Sequence, residues 1–197
     1  MKSALELLLR AAFSLLVIAP LPLGATQNDT RNYWAPYLEL LMTNYVSLWA
    51  HDPVIIESLR AANRDHIITT RAQIGDLDHA WTTGQAEDLV AAILQNPASE
   101  FLRKQFPSYD GALTEAILTD ENGITIAMSQ KTTDYWQGDE VKHAHTVPVG
   151  PRAIYVGEME IDTSTGAYQG QVSMTITDPD TGKPIGALTL GMVPELL

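Results

Sequence analysis

Between residues 33 and 49, Tyr33, Tyr37, Leu40, Leu41, Tyr45, Leu48 and Trp49 recur at helical spacing. The pattern predicts a long helix with one apolar stripe over about four turns. His51-Asp52-Pro53 interrupts it, and Asp52 is placed to cap a second helix that begins at Pro53 and carries Val54, Ile55, Leu59 and Ala62. Shorter helical pieces follow over 86–94 and from Asn96-Pro97, a cap with a first-turn proline, through Phe101 and Leu102. After Tyr109-Asp110-Gly111 the period drops from helical to alternating. Residues 113–119 read as a strand, Asp120-Glu121-Asn122-Gly123 as a tight turn, and 124–128 as the return strand. A polar insert of helix or loop spans 129–145, and three strands follow over 153–162, 167–177 and 185–193. Val172, Met174 and Ile176 alternate with Ser173, Thr175 and Thr177, which gives that strand one buried and one polar face.

These elements predict an α+β domain: a long N-terminal helix plus a central antiparallel five-stranded sheet with helices on one face. The strands follow one another too closely for helical crossovers, apart from the one insert. At 197 residues the chain suits one domain after a short leader. Residues 1–25 read as a signal peptide: Lys2 and Arg10 supply positive charge, and 11–25 is apolar or small throughout. At about 1.5 Å per residue this run falls short of the roughly 30 Å hydrocarbon core, and Pro20 and Pro22 break it. The expected mature domain is therefore 26–197, periplasmic or secreted, with no stable membrane insertion. The formal net charge of −12 argues against nucleic acid and anionic lipid as partners and favours cations. The absence of cysteine excludes disulfides and thiolate chemistry.

Four stretches then carry a resemblance. Ile117-Leu118-Thr119-Asp120-Glu121-Asn122-Gly123-Ile124-Thr125-Ile126-Ala127 resembles the paired strands that open Cache domains. Ser129 through Glu140 resembles the insert that walls their ligand pocket. Gly157 through Gly166 resembles the third strand and its turn, and Gln171–Asp178 with Gly182–Leu188 the closing hairpin. The resemblance covers roughly 30–197 in order, and its specific part is 116–192. It implies a PAS-like fold and an extracytoplasmic sensor that binds a small molecule. The last strand is expected to end near 193, so the sensor would relay to a separate membrane receptor or histidine kinase. Amino-acid-binding Cache domains carry an Arg-x-Trp-Tyr cluster. Here, counting back from Ala144, Gly138, Glu140 and Val141 stand at those positions, which removes the guanidinium fork that grips a carboxylate.

The chemistry-bearing residues point the same way. Asp134, Asp139 and Glu140 lie beside Tyr135 and Trp136, and carboxylates next to aromatic faces suit an organic cation. The expected ligand site has Tyr135 and Trp136 as aromatic walls and Asp134, Glu140 and Glu158 as charge partners. Glu158, Glu160 and Asp162 alternate on one strand and share a face, where they repel one another unless solvated, paired or bound to a cation. An alternative is a divalent-metal-responsive structural module. His143-x-His145 would present both imidazoles on one face of a strand, but Pro148 and Gly150 mark the region as loop. Asp178-x-Asp180-x-Gly182 resembles a calcium loop without its closing glutamate, and reads instead as a hairpin turn. No nucleophile, zinc-protease or phosphate-loop motif occurs, so neither catalysis nor a cofactor is expected. The aromatic stripe of the first helix suggests a homodimer seam.

Overall fold

The computed structural model describes residues 27–66, 70–161 and 168–197. The expected signal peptide over 1–25 lies outside the described residues, as does Asp162. Helix α1 (Gln27–Leu41) passes through one π-helical turn (Met42–Val46) into α2 (Ser47–Ala50). Then come α3 (Pro53–His66), α4 (Arg71–Thr82), α5 (Glu87–Gln95) and α6 (Pro97–Gln105). The strands are β1 (Leu113–Asp120), β2 (Thr125–Met128), β3 (Ile154–Ile161), β4 (Tyr168–Thr177) and β5 (Pro184–Met192), with a short helix α7 (Val141–Ala144) in the insert. They form one antiparallel sheet in the order β2-β1-β5-β4-β3, an α+β architecture with a PAS-like sheet.

The expected caps form. Asp52 Oδ1 accepts from Val54 N (2.9 Å), and Asn96 Oδ1 accepts from Ser99 N (2.8 Å) at the start of α6. The apolar stripe of the first helix needs correcting. Trp34, Leu38, Leu41, Met42, Val46, Trp49 and Ala50 are the buried residues, while Leu40 and Leu48 are exposed and Tyr33, Tyr37 and Tyr45 only half-buried. The true stripe lies one residue further along than the predicted one at every position, before the π turn as well as after it, because Trp34 and Leu38 take the core and leave the tyrosines at its edge.

Helix α4 has no counterpart in the sequence reading. Thr70 and Gln73 form a capping box at its start: Thr70 Oγ1 accepts from Gln73 N (3.2 Å) and Gln73 Oε1 from Thr70 N (2.8 Å). Its burial explains its place. Ile74 and Trp81 join Ile93, Ile124, Met128 and Tyr135 in a small second core at the β2 edge.

Alternation divides the sheet between two environments. Leu118, Val156, Val172, Met174, Ile176, Leu188, Leu190 and Met192 meet the apolar residues of α1, α3 and α6 in the main core. The opposite face carries Glu115, Thr119, Gln171, Ser173, Thr175 and Thr189, and the insert with α7 covers it. Ser173 and Thr189, register partners on β4 and β5, satisfy each other through a hydroxyl–hydroxyl bond of 2.8 Å. Thr125 and Thr175 on the same face are buried with hydroxyl oxygens that have no hydrogen-bond partner.

Candidate functional site

The insert is pinned before it reaches the sheet. Gln137 N donates to Gly123 O (2.8 Å), and Gly123, at φ +79°, lies too close to the Gly138 backbone to carry a side chain, while one on Gly138 would meet the Asn122 carbonyl and the Trp136 indole. Asp78 of α4 accepts from the backbone N–H of both Tyr135 (2.7 Å) and Trp136 (2.9 Å). With its first half fixed, the insert turns at Glu140 into α7, which packs against β3 and β4.

A bulge in β3 shapes the other wall. Ile154 and Val156 face the main core, and strict alternation would send Glu158 and Glu160 there too. Between Val156 and Met159 the register slips by one residue against β4, so Met159 turns into the core and the two glutamates turn out. Gly157 sits at this point with the Gln171 carbonyl against it.

The result is an open cleft of about 770 Å³ between α7 and the β3–β4 edge. Four carboxylates line it, those of Asp139, Glu140, Glu158 and Glu160, against the single ammonium of Lys142. Tyr155 gives it an aromatic wall and Val141 and Ile161 aliphatic ones. A smaller hollow of about 340 Å³ lies under the insert, lined by Glu115, Lys131, Thr132 and Gln137, and it shares Glu140, Lys142 and Gln171 with the cleft. Those three form the divide. Lys142 Nζ, on a buried side chain, donates to Glu140 Oε2 (2.6 Å) and Gln171 Oε1 (3.2 Å), and Gln171 Nε2 donates to Glu115 Oε1 (2.7 Å). A buried ammonium is tolerated only with such partners.

Of the expected site residues, Glu140 and Glu158 line the cleft. Asp134, Tyr135 and Trp136 do not. Asp134 holds a turn, its Oδ1 accepting from Gln137 Nε2 and from Thr133 Oγ1 (3.3 Å). Tyr135 is buried in the second core beside Trp81, ring centroids 5.5 Å apart. Burial, with the nearby Asp120 charge, pushes its hydroxyl pKa up to about 12. Trp136 is half-buried against α4, its indole N–H donating to Asn122 O (2.8 Å) and its ring 5.0 Å from the Arg71 guanidinium. The aromatic side chain that lines the cleft is Tyr155, while the insert's own aromatics fasten the insert. Alternation along β3 was the available signal for Tyr155, since it shares the sheet face of Ser173, its register partner.

His143 and His145 do not form a pair of ligands. On the short helix α7 and its end, His143 turns inward and His145 stacks on Tyr155, centroids 5.0 Å apart. His143 is buried with Nδ1 unpartnered, and desolvation lowers its pKa although Asp120 pulls it upward. Among the described residues no group of three His, Asp or Glu side chains could hold a metal ion. The Asp178–Gly182 segment is a hairpin turn clamped by Arg60, whose Nε reaches Asp178 Oδ2 (2.7 Å) and whose NH2 reaches Asp180 Oδ2 (2.6 Å). The guanidinium holds the Asp178 carboxyl well below the usual carboxylate range. Among the described residues no helix is long and apolar enough to cross a membrane.

No family model matches the chain, and no curated protein matches it. Among solved structures it is similar to the extracellular domain of the proposed histidine kinase vpHK1S-Z8, with 13% identity and a TM-score of 0.44 over 99% of this chain and 62% of that one. It is also similar to a domain of a proposed sensory box/GGDEF family protein from Vibrio parahaemolyticus, with 12% identity and a TM-score of 0.42 over 84% of this chain and 57% of that one. A third is the ligand-binding domain of the amino acid chemoreceptor PctC of Pseudomonas aeruginosa PAO1, in complex with GABA. There the identity is 16% and the TM-score 0.38, over 85% of this chain and 62% of that one. The chain thus spans less than two thirds of the length of each.

Proposed function

We propose that this chain is an extracytoplasmic ligand-binding sensor domain, and that its cleft recognises a small organic cation. One observation carries the reading: four carboxylates and one ammonium line a cleft that also has Tyr155, Val141 and Ile161 as walls. A compact metal ion has no use for apolar walls. An amine with an aliphatic body uses both parts, through charge pairing and a cation–π contribution of about 0.5–2 kcal/mol over the tyrosine ring. The opposite wall is a short helix on a tethered insert, the kind of element that ligand binding can move. Relay to a separate membrane receptor or histidine kinase completes the proposal, which assigns binding rather than catalysis.

A thermal-shift screen of the full chain against primary amines, quaternary amines, amino acids and organic acids tests it. Cationic ligands are expected to raise the melting temperature saturably, and Glu158→Gln with Glu160→Gln is expected to weaken that response by roughly tenfold or more, two charge contacts being removed. Silence across every cationic ligand overturns the reading.

A further inference from the structure

The charges at the divide between the two hollows are arranged as an amine receptor that is already full. Lys142 brings the ammonium: its side chain is 8% exposed, and its Nζ donates to Glu140 and Gln171 at the boundary that both hollows share. Gln171 is oriented in turn by donating its own N–H to Glu115, which leaves its carbonyl oxygen facing the ammonium. The acceptors thus form a preorganised set for a group with several N–H donors. Glu140 belongs to the cleft as well as to the ion pair. A primary amine settling among Asp139, Glu158 and Glu160 therefore meets an acceptor held by the protein's own lysine.

From this, and resting on the cation-binding reading above, we infer that Lys142 is a tethered competitor. The activating ligand is a primary amine whose ammonium replaces that of Lys142 on Glu140 and Gln171, and the exchange releases α7 from the sheet. The neighbouring residue supports a strained seat. With Lys142 satisfied, His143 on the same helix is buried with an unpartnered Nδ1, so the seated position leaves one polar group without a bond. Expulsion of Lys142 into the open cleft frees α7 to shift, and binding becomes a movement of the insert. No bond is made or broken in the exchange; one hydrogen-bonded cation takes the place of another.

The test is titration of the wild-type chain and of Lys142→Ala with methylammonium and butylammonium, followed by calorimetry and thermal shift. Tetramethylammonium, which has the charge without N–H donors, is the control. Lys142→Ala is expected to be less stable, to be restored saturably by the primary amines but not by tetramethylammonium, and to bind them roughly tenfold tighter than wild type or more, the competitor having gone. Lys142→Arg keeps the competitor and is expected to show no such gain. If wild type binds the amines and Lys142→Ala binds them equally or more weakly, the tethered-competitor inference fails while the cation-binding reading stands. If neither chain binds any amine, the cation-binding reading fails and this inference with it. Should Lys142→Ala not fold even with amine, hydrogen exchange of the wild type decides. Loss of protection in α7 at saturating butylammonium supports the exchange, and unchanged or increased protection overturns it.

Discussion

At the scale of single residues, His143 and Tyr135 are two cases of one rule: burial favours whichever form of a group carries no charge. For His143 the folded pKa lies below the ordinary value, so the unfolded chain takes up a proton that the folded chain refuses. Its contribution to stability is present above about pH 6.5 and is lost as the pH falls below that. Urea midpoints at pH 5 and pH 7.5 should differ in wild type, and the difference should narrow in His143→Phe; an unchanged gap would remove the imidazole from the account. Tyr135 acts at the other end. With its pKa raised to about 12, the folded state loses stability as the pH climbs from about 10, where the unfolded phenol ionises, towards that value. Tyr135→Phe should unfold at a higher alkaline pH than wild type in a circular dichroism titration. At this scale the sequence was half legible. Glu140 and Glu158 line the cleft because acids are rarely buried, and so tend to reach solvent wherever the fold puts them. Tyr135 and Trp136 lie off the cleft, a difference the sequence does not carry, because an aromatic beside an acid reads the same whether it walls a ligand or anchors a loop.

Among the elements, those with strong local signals are the ones that were legible. Asn96-Pro97 names a helix start by itself, and the amide does a second task that no local pattern announces: Nδ2 donates to Ile126 O (2.7 Å), tying α6 to β2. Asn96→Ala should therefore cost about 1–3 kcal/mol in chemical denaturation, more than an exposed cap alone, and Asn96→Asp, which keeps the cap and loses the tie, should fall between. Helix α4 is not legible because Gly75, Asp76 and Asp78 dilute its helical pattern and only two of its apolar residues, Ile74 and Trp81, are buried, Leu77 being exposed. Only the Thr70–Gln73 capping box marked it. The β3 bulge was beyond reach for a different reason. A register slip is a property of two strands, and β3 read alone puts Ile154 and Val156 on the same face as Glu158 and Glu160.

For the whole molecule, the change from helical to alternating period near residue 111 was enough to fix the fold class, since an antiparallel sheet with a long helix has few ways to bury both. What joins the pieces is less visible. Arg60 in α3 holds the β4–β5 turn through Asp178 and Asp180, 118 and 120 residues away in sequence. The pairing depresses the Asp178 pKa, so its contribution is present above the ordinary carboxylate value of about 3.9 and lost as the pH falls below it. Arg60→Met should lower the melting temperature at pH 7, and its deficit should begin to shrink only as the pH falls below about 4; a deficit that stays constant across the whole acid range would assign the effect to packing alone. The π turn at Met42–Val46 bears on the molecule in another way. One surplus residue advances a helix by about 100°, so it sets the phase between α1, which packs along β3, and α2, which leads on to α3. Trimming it by one amino acid would turn α1 by that angle against the rest of the chain and swing Trp34 and Leu38 off the core contacts they hold, like a key entered a quarter turn out.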